Sequence, residues 1–297
     1  MRLGLGCAPL GNLFTPVPDE DAVATVKAAV AAGITFFDTA PLYGHGLSER
    51  RLGASLRDSD VARDALTIST KVGRMLVPGT EVSIFADPPP VRPVFDFSAD
   101  GVRRSLSESL DRLGLDRVDT ALVHDPDDYP DEALAGAFPA LVRLREEGVV
   151  TSIGAGMNQS AVLERFVREA DLDCVLLAGR WTLLDQSGRG LLDLCHQRGV
   201  SVIVGGVFNS GLLADPDAAG ATFDYAPAPA SLVERARAMR ATCERHGVSL
   251  PAATLQFAAS HPAVSVVLVG ARSAAELCAA VAAAGEDIPD GLWEELA

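Results

Sequence analysis

The sequence predicts an α/β protein built as a (β/α)8 barrel, the TIM-barrel architecture. Eight short apolar runs rich in β-branched residues alternate with longer stretches whose apolar residues recur at helical spacing. The runs are continuously apolar rather than alternating, which is typical of parallel strands covered on both faces. The chain has 297 residues, a length that eight strand-plus-helix units fill. An open, doubly wound sheet is the alternative.

The predicted strands are short, from four to eight residues each. Two of them lead into the glycine-containing segments GLGCAP and GAGMNQ, but each segment lacks the third glycine of the GxGxxG dinucleotide-binding fingerprint. That absence weakens the doubly wound alternative. The eight strands are predicted at residues 3–7, 34–38, 66–70, 119–124, 149–156, 174–177, 200–206 and 264–270.

The predicted helices begin and end at recognisable signals. The first, 19–33, opens with acidic residues and closes on a glycine, and another, 98–113, ends just before a glycine. Ser48 is expected to cap a helix that ends at Leu56, and Ser273 to cap the last one. The remaining helices are predicted at residues 131–147, 159–170, 187–198, 231–246 and 273–284.

Two segments are longer than ordinary connections. No proline-rich or charged linker divides the chain, so we predict a single domain over residues 1–297. The long loops are 72–97, after the third strand, and 207–230, after the seventh. Loops that follow barrel strands lie at the C-terminal face, where active sites form, so we expect both segments to cover that face. No periodicity predicts how 72–97 folds.

The composition excludes several classes of partner. The formal net charge is −15, which argues against nucleic acid and anionic membranes because both need clustered positive charge. No apolar run reaches the ~18 residues of a membrane span, and the first residues lack the pattern of a secretion signal. The five widely spaced cysteines indicate a reducing cytoplasm. The scattered histidines predict no metal site.

Three consecutive predicted strands end at an ionisable residue. Asp38 closes ITFFD, Lys71 follows LTIST, and His124 follows DTALV. Tyr43 lies five residues after Asp38, in the short loop DTAPLYGHG. In a barrel, reactive side chains project from these strand ends. Taken singly, a strand-end aspartate is more often a cap or turn residue, and a strand-end histidine more often bonds a backbone carbonyl.

Together the four side chains suit proton transfer at an oxygen atom. The chain has only two lysines, and one of them, Lys71, would lose hydration at a barrel mouth. It should therefore be paired or functional, and Asp38 is the natural partner. An ammonium beside a phenol favours phenolate, and His124 could hydrogen-bond the same substrate oxygen. None of these groups donates hydride, so a redox reaction requires a bound cofactor.

At this point the chain is similar to the aldo-keto reductases over nearly its whole length. The matching segments are LGLGCAPLGNL, GITFFDTAPLYGHGLSERRLGASL, STKVGR, SLSESLDRLGLDRVDTALVHDPDD and VSVVLVGARSAAEL. The resemblance implies a (β/α)8 barrel and a nicotinamide cofactor. It also implies a catalytic tetrad of Asp38, Tyr43, Lys71 and His124.

Within that family, KVGRMLVP, FDFSADGVRRSLSESL and HDPDD resemble one branch. That branch contains D-threo-aldose 1-dehydrogenase, which is also called L-fucose dehydrogenase. L-galactose dehydrogenase and pyridoxal 4-dehydrogenase are similar. The branch implies oxidation of a ring hemiacetal carbon to a lactone, with Tyr43 as the base. The alternatives are a general aldehyde or ketone reductase, pyridoxal 4-dehydrogenase, and a non-catalytic cofactor-binding regulatory protein. The complete tetrad argues against the last.

The resemblance implies a cofactor site as well. Asn158 is expected at the nicotinamide carboxamide, while Ala178 replaces the family's usual glutamine. Gly205 stands where an aromatic residue often stacks on the ring, and Phe208 is a nearby substitute. The segments NSGLL and GARS match the pyrophosphate and adenosine ends. They contribute Asn209, Ser210, Gly211, Leu212, Gly270, Arg272 and Ser273, and Glu276 follows one turn after Arg272.

Other residues bear on the choice of dinucleotide and of substrate. A carboxylate at Glu276, one turn after Arg272, favours a ribose hydroxyl over a 2′-phosphate, so NAD is preferred and NADP stays open. The substrate is expected to be a small sugar or aldehyde, and the oligomeric state is left open between monomer and dimer. Trp181 could offer a platform to a sugar face or could pack beneath a helix. The candidate substrate contacts are His45, Arg74, Asp125, Arg180 and Trp181.

Overall fold

Eight parallel strands close into a barrel, which confirms the predicted fold class. The structure is a computed structural model that describes residues 1–59, 61–224 and 226–296. Each strand pairs with the next along the chain, and the last pairs with the first. The strands are β1 (Leu3–Gly6), β2 (Phe36–Asp38), β3 (Thr67–Val72), β4 (Thr120–His124), β5 (Ser152–Met157), β6 (Cys174–Ala178), β7 (Ser201–Gly205) and β8 (Val264–Gly270).

The register of β2 against β3 determines which side chains meet at the C-terminal mouth of the barrel. Asp38 pairs with Ser69, so Lys71 stands two residues farther along β3. Because strand side chains alternate between faces, Ser69 and Lys71 share one face. Ser69 pairs with Thr120 on β4, and His124 on that strand pairs with Gly156. The polar residues at the ends of β2, β3 and β4 therefore gather at one rim.

Helices cover the outside of the barrel, and most lie where the sequence predicts them. Ser98 and Ser273 are N-caps whose hydroxyls accept hydrogen bonds from the amides of Gly101 and Glu276. The helices are α1 (Asp19–Ala31), α2 (Leu47–Arg57), α3 (Ala99–Leu113), α4 (Phe138–Glu146), α5 (Ser160–Glu169), α6 (Arg189–Arg198), α7 (Ala230–Arg245), α8 (Leu250–Ala258), α9 (Ala274–Ala284) and α10 (Asp290–Leu296).

Ser48 does not cap α2, which corrects the sequence prediction. The helix starts two residues earlier than a cap at Ser48 implies, after Gly46, whose φ of 88° lies in the left-handed region. Ser48 therefore sits in the first turn, and its hydroxyl donates to the carbonyl of Cys7 at 2.7 Å. The hydroxyl links the helix to the strand end of β1 instead of satisfying a helix amide.

The helix predicted over 131–147 is interrupted. Residues Ala133–Ala137 form a π-helical turn before α4 begins. Pro139 has no amide hydrogen to give to an α-helical ladder, and Gly136 packs directly on the carbonyl oxygen of Phe97. The helix α8 was not predicted, because six of its nine residues are buried and no polar face marks an amphipathic period.

The long segment 72–97 forms an antiparallel hairpin of Arg74–Pro78 and Val91–Phe95. Its tip is tied to the loop after β1, where the amide of Phe14 donates to the carbonyl of Ile84. The other long segment, 207–230, begins with a series of turns and then forms two antiparallel strands of two residues each. Of the two strand pairings, only the one within 72–97 joins residues far apart in sequence, since Arg74 pairs with Phe95, whereas Phe223 pairs with Ala226.

Two apolar regions hold the barrel together. The larger one fills the space between the strands and the helices. The smaller one lies inside the barrel and consists of Phe36, Leu122, Cys174, Leu176, Ile203, Val266 and Leu268. All five cysteines are free thiols, and four of them are buried. Within the described part of the chain, no helix is long and apolar enough to cross a membrane.

The close crossing of α2 and α3 yields a stability prediction. A Cβ atom at Gly53 would overlap the carbonyl oxygen of Leu113. We expect Gly53→Ala to lower the free energy of unfolding by about 1–3 kcal/mol, because the backbones must separate. Urea unfolding monitored by circular dichroism measures the change.

The matched control is Gly190→Ala in α6, where a Cβ atom would meet only the flexible side chain of Glu164 at 3.4 Å. Alanine favours a helix over glycine by about 1 kcal/mol, so this variant should be as stable as the parent or more so. Equal stability of the two variants would show that the helices do not cross as closely as described.

Candidate active site

A buried ion pair lies at the C-terminal mouth of the barrel. The Nζ atom of Lys71 is 2.7 Å from Oδ2 of Asp38, and it also donates to the carbonyl of Thr39 at 2.9 Å. The side chains of Lys71 and Asp38 are only 1% and 3% exposed. The pairing expected from the sequence is therefore present, and it follows from the register of β2 and β3.

Hydroxyl groups support this ion pair from below. Ser69 donates to Oδ1 of Asp38 at 2.9 Å, so both carboxylate oxygens are engaged. The hydroxyls of Thr39 and Ser48 are 2.9 Å apart, and Ser48 is bonded in turn to Cys7. The sequence did not connect Ser69 or Thr39 with the site, and it predicted a helix cap at Ser48. Ser69 could have been found from its position, since it stands two residues before Lys71 and must share its face.

The ion pair keeps Lys71 charged although it is buried. Desolvation by burial opposes the charge, but the Asp38 carboxylate and the Tyr43 phenol outweigh it and raise the pKa of Lys71 above its ordinary value. The Nζ atom lies 4.7 Å from the centroid of the Tyr43 ring. A permanent positive charge therefore sits directly against the phenol.

Tyr43 is held by an unusual loop. Gly44, His45 and Gly46 follow it, all with left-handed φ values of 60°, 51° and 88°. A side chain on Gly44 would overlap the backbone of Gly11 in the loop after β1, so the two segments touch backbone to backbone. The loop thereby fixes the position of Tyr43 over Lys71.

His124 completes the set at the end of β4. Its ring meets the Tyr43 ring edge-on, with centroids 5.9 Å apart. Burial, and then the charges of Arg74 and Lys71, lower the pKa of His124 well below its ordinary value, so the imidazole is neutral. The structure thus brings together the four residues predicted to be catalytic.

Two of the predicted substrate contacts, Arg74 and Asp125, bind each other. The guanidinium of Arg74 donates to Oδ2 of Asp125 at 2.8 Å and lies 4.8 Å from the ring centroid of Phe95. The same Asp125 oxygen is 3.6 Å from Nε2 of His124. Arg180, another candidate, pairs with Asp224 at 2.8 Å. Arg74 and Arg180 are thus each paired with an aspartate.

The structure corrects the role expected for His45 and favours one of the two alternatives left open for Trp181. His45 is buried, with Nδ1 2.7 Å from the carbonyl of Val91 and Nε2 3.3 Å from the hydroxyl of Ser83. Both ring nitrogens are thus engaged in holding the hairpin. Trp181 is 3% exposed and stacks on Phe257 of α8, so it packs beneath a helix and offers no face to a sugar.

The residues predicted to contact a cofactor lie beside β5, β7 and β8. Asn158 is half-buried just after β5, and Phe208 is half-buried against the core. Asn209 is buried and donates from Nδ2 to the carbonyl of Gly179 at 3.4 Å, while its Oδ1 has no hydrogen-bond partner among the described residues. Its neighbours Ser210 and Gly211 are left-handed, and Leu212 is buried.

The last group lies where β8 passes into α9. Gly270 ends the strand, and Ser273 caps the helix. The Glu276 carboxylate accepts from the backbone amide of Arg272 at 2.8 Å and from its guanidinium at 2.8 Å. Glu276 therefore already neutralises the arginine that would otherwise face an incoming anion.

Known proteins match the whole chain. The sequence profile of the aldo/keto reductase family matches residues 2–296. A D-threo-aldose 1-dehydrogenase from a Pseudomonas species is 44% identical, covering 99% of this chain and 92% of that protein. Pyridoxal 4-dehydrogenase from Microbacterium luteolum is 40% identical, with the same 99% and 92% covered.

The fold is likewise that of solved structures. The holo form of an aldo-keto reductase from Bacillus halodurans matches with a TM-score of 0.80 at 24% identity, covering 100% of this chain and 92% of that one. Its similarity concerns the fold alone, whereas the sequence profile and the relatives above 30% identity concern descent. The chain belongs to the aldo/keto reductase family and is an oxidoreductase.

Proposed function

We propose that the protein is a nicotinamide-dependent dehydrogenase that oxidises C1 of an aldose, in its ring hemiacetal form, to a lactone. The observation that carries the proposal is the buried Asp38–Lys71 ion pair against the ring of Tyr43, with neutral His124 at the ring edge. The sugar substrate rests on the 44% identical relative, which is named for that activity.

The residues beside β7 and β8 fit a dinucleotide. The buried Oδ1 of Asn209 has no hydrogen-bond partner among the described residues and can accept from an amide. The N-terminus of α9, an 11-residue helix, presents backbone amides that suit phosphate. A nicotinamide bound there would supply the acceptor for the hydrogen that leaves C1 with its electron pair.

Each residue of the tetrad then has a distinct task. The Tyr43 oxygen takes the proton of the C1 hydroxyl, and the Lys71 ammonium stabilises the phenolate that must form first. Asp38 holds Lys71 in place and keeps it charged. His124, neutral and buried, donates a hydrogen bond to the same substrate oxygen.

NAD is the preferred dinucleotide in this proposal. A 2′-phosphate would have to compete with the Glu276 carboxylate for both the guanidinium and the backbone amide of Arg272. The carboxylate would also repel it. A ribose hydroxyl, by contrast, can donate to Glu276 without disturbing the pair.

A substrate panel tests the proposed reaction. Purified protein with NAD or NADP is given L-fucose, D-arabinose, L-galactose or pyridoxal, and the absorbance of the reduced cofactor is followed. We expect the highest kcat/KM with an aldose and NAD. Brisk reduction of simple aldehydes without sugar oxidation would favour a general reductase. Faster turnover of pyridoxal would favour the activity named for the 40% identical relative. A kcat/KM at least about tenfold higher with NADP would contradict the cofactor preference.

Tyr43→Phe tests the proton-transfer step. The variant lacks only the phenolic oxygen, so we expect kcat to fall about 10²–10⁴-fold while the affinity for the dinucleotide, measured by fluorescence titration, is retained. Tyr129→Phe is the matched control, since Tyr129 lies in an aromatic cluster with Phe95 and Phe97. Near-normal kcat in Tyr43→Phe would remove the tyrosine from the mechanism.

Lys71→Met tests the electrostatic role of the ammonium. Oxidation needs the phenolate, so activity rises with pH, and loss of the neighbouring positive charge should move that rise about 1–3 pH units upward. The pH profile of kcat/KM measures the displacement, with Lys27→Met as the control. A profile that does not move would mean that Lys71 does not act through Tyr43.

A further inference from the structure

Asp125 has an unusual backbone conformation directly beside His124. Its φ of 43° lies in the left-handed region, which residues other than glycine rarely adopt. Its amide donates to the carbonyl of Gly156 on β5 at 3.1 Å, which fixes the turn. The conformation places Oδ2 of Asp125 3.6 Å from Nε2 of His124. Such strain persists only where surrounding contacts hold it, and it concentrates at functional sites.

The two nitrogens of His124 have different surroundings. Nδ1 is buried and has no hydrogen-bond partner among the described residues, whereas Nε2 faces the carboxylate of Asp125. A neutral imidazole carries one proton. On Nδ1 that proton would be a buried donor without an acceptor, whereas on Nε2 it is attracted by a negative charge.

We propose that Asp125 and Arg74 are positioning residues for His124: the carboxylate holds the neutral imidazole as its Nε2–H tautomer, and Arg74 prevents the carboxylate from drawing a second proton onto the ring. The consequence for catalysis rests on the proposed function, since only an Nε2–H group can donate to a substrate oxygen at the mouth. The tautomer itself is a property of the protein alone.

The charged groups around His124 have opposite effects on the protonation of its ring. Lys71 faces it from β3, Arg74 from the hairpin, the Tyr43 ring from the loop after β2, and Asp125 from its own segment. Gly156, its partner on β5, has no side chain. Burial is the first cause of the lowered pKa of His124, and the charges of Arg74 and Lys71 add to it. The Asp125 carboxylate, 3.6 Å from Nε2, acts in the opposite direction, so removal of Arg74 leaves its attraction for a proton less compensated.

Arg74 is itself fixed by the hairpin. It is the first residue of the hairpin and pairs across the strands with Phe95, whose ring lies under its guanidinium. The guanidinium is about one-fifth exposed, at 20%, and Asp125 is 28% exposed, so water screens this pair only in part. The hairpin of segment 72–97 therefore reaches the catalytic histidine through one side chain.

Nitrogen-15 NMR of the histidine rings tests the proposal in the intact protein. Bare and protonated ring nitrogens resonate far apart, and a His124→Asn variant identifies the signals of His124. In the wild type we expect a neutral ring with the proton on Nε2. In Asp125→Asn we expect the proton to be shared with Nδ1 or moved to it. In Arg74→Met we expect His124 to titrate at a higher pH than in the wild type, whereas Arg74→Lys should restore most of the wild-type behaviour.

Asp128→Asn is the matched control, because Asp128 lies exposed three residues farther along the same loop. It should leave the His124 tautomer unchanged. A wild-type proton on Nδ1, or an Asp125→Asn spectrum identical to the wild type, would overturn the proposal.

Kinetics provide a second and separate measurement. By analogy with the partners that orient metal-bound histidines, Asp125→Asn should lower kcat about 10–100-fold with little change in KM. A loss confined to KM would indicate a substrate contact instead and would count against a positioning role. If the wild type turns over none of the sugars, the proposed function fails, but the NMR result still decides the tautomer.

Discussion

The whole site depends on one buried charge, the ammonium of Lys71. A cation so deeply enclosed is unstable unless a partner replaces its hydration, and here Asp38 and the carbonyl of Thr39 do so. The Ser69 hydroxyl donates to the other carboxylate oxygen of Asp38, so both oxygens accept a hydrogen bond. Because these groups come from neighbouring strands, the ion pair forms only when β2 and β3 have the register of a closed barrel. The register that closes the barrel is therefore also the register that forms the ion pair.

That constraint also explains the glycines around the site. For Lys71 to affect a phenol, Tyr43 must come close to it, although it lies in a loop rather than on a strand. Consecutive left-handed residues turn that loop sharply, and Gly44 meets Gly11 backbone to backbone. Side chains at either glycine would push the loop outward and separate Tyr43 from the ammonium 4.7 Å below its ring.

The sequence predicted the barrel because apolar strands recur at regular intervals, and it pointed to the tetrad because three consecutive strands lead into Asp38, Lys71 and His124, with Tyr43 in the loop after the first of them. It failed where contacts join residues distant in the chain. His45 was expected to meet the substrate but binds the hairpin, and Trp181, for which packing beneath a helix was one of two options, stacks on Phe257 of α8. The hairpin itself was unpredicted, since its strands pair through contacts that no local pattern encodes. Ser69 was within reach of the two-residue period and was overlooked.

Two ion pairs of the same kind flank the reacting groups, and their cations are not interchangeable. Lys71 lies inside the barrel, where its compact ammonium fits beneath the Tyr43 ring. Arg74 lies at the rim, where its planar guanidinium binds Asp125 and lies over Phe95 at once. Each cation is matched by one aspartate, although the chain as a whole has a net charge of −15. Burial first, and then the neighbouring charges of Arg74 and Lys71, lower the pKa of His124, so the local surroundings rather than the overall charge determine its protonation.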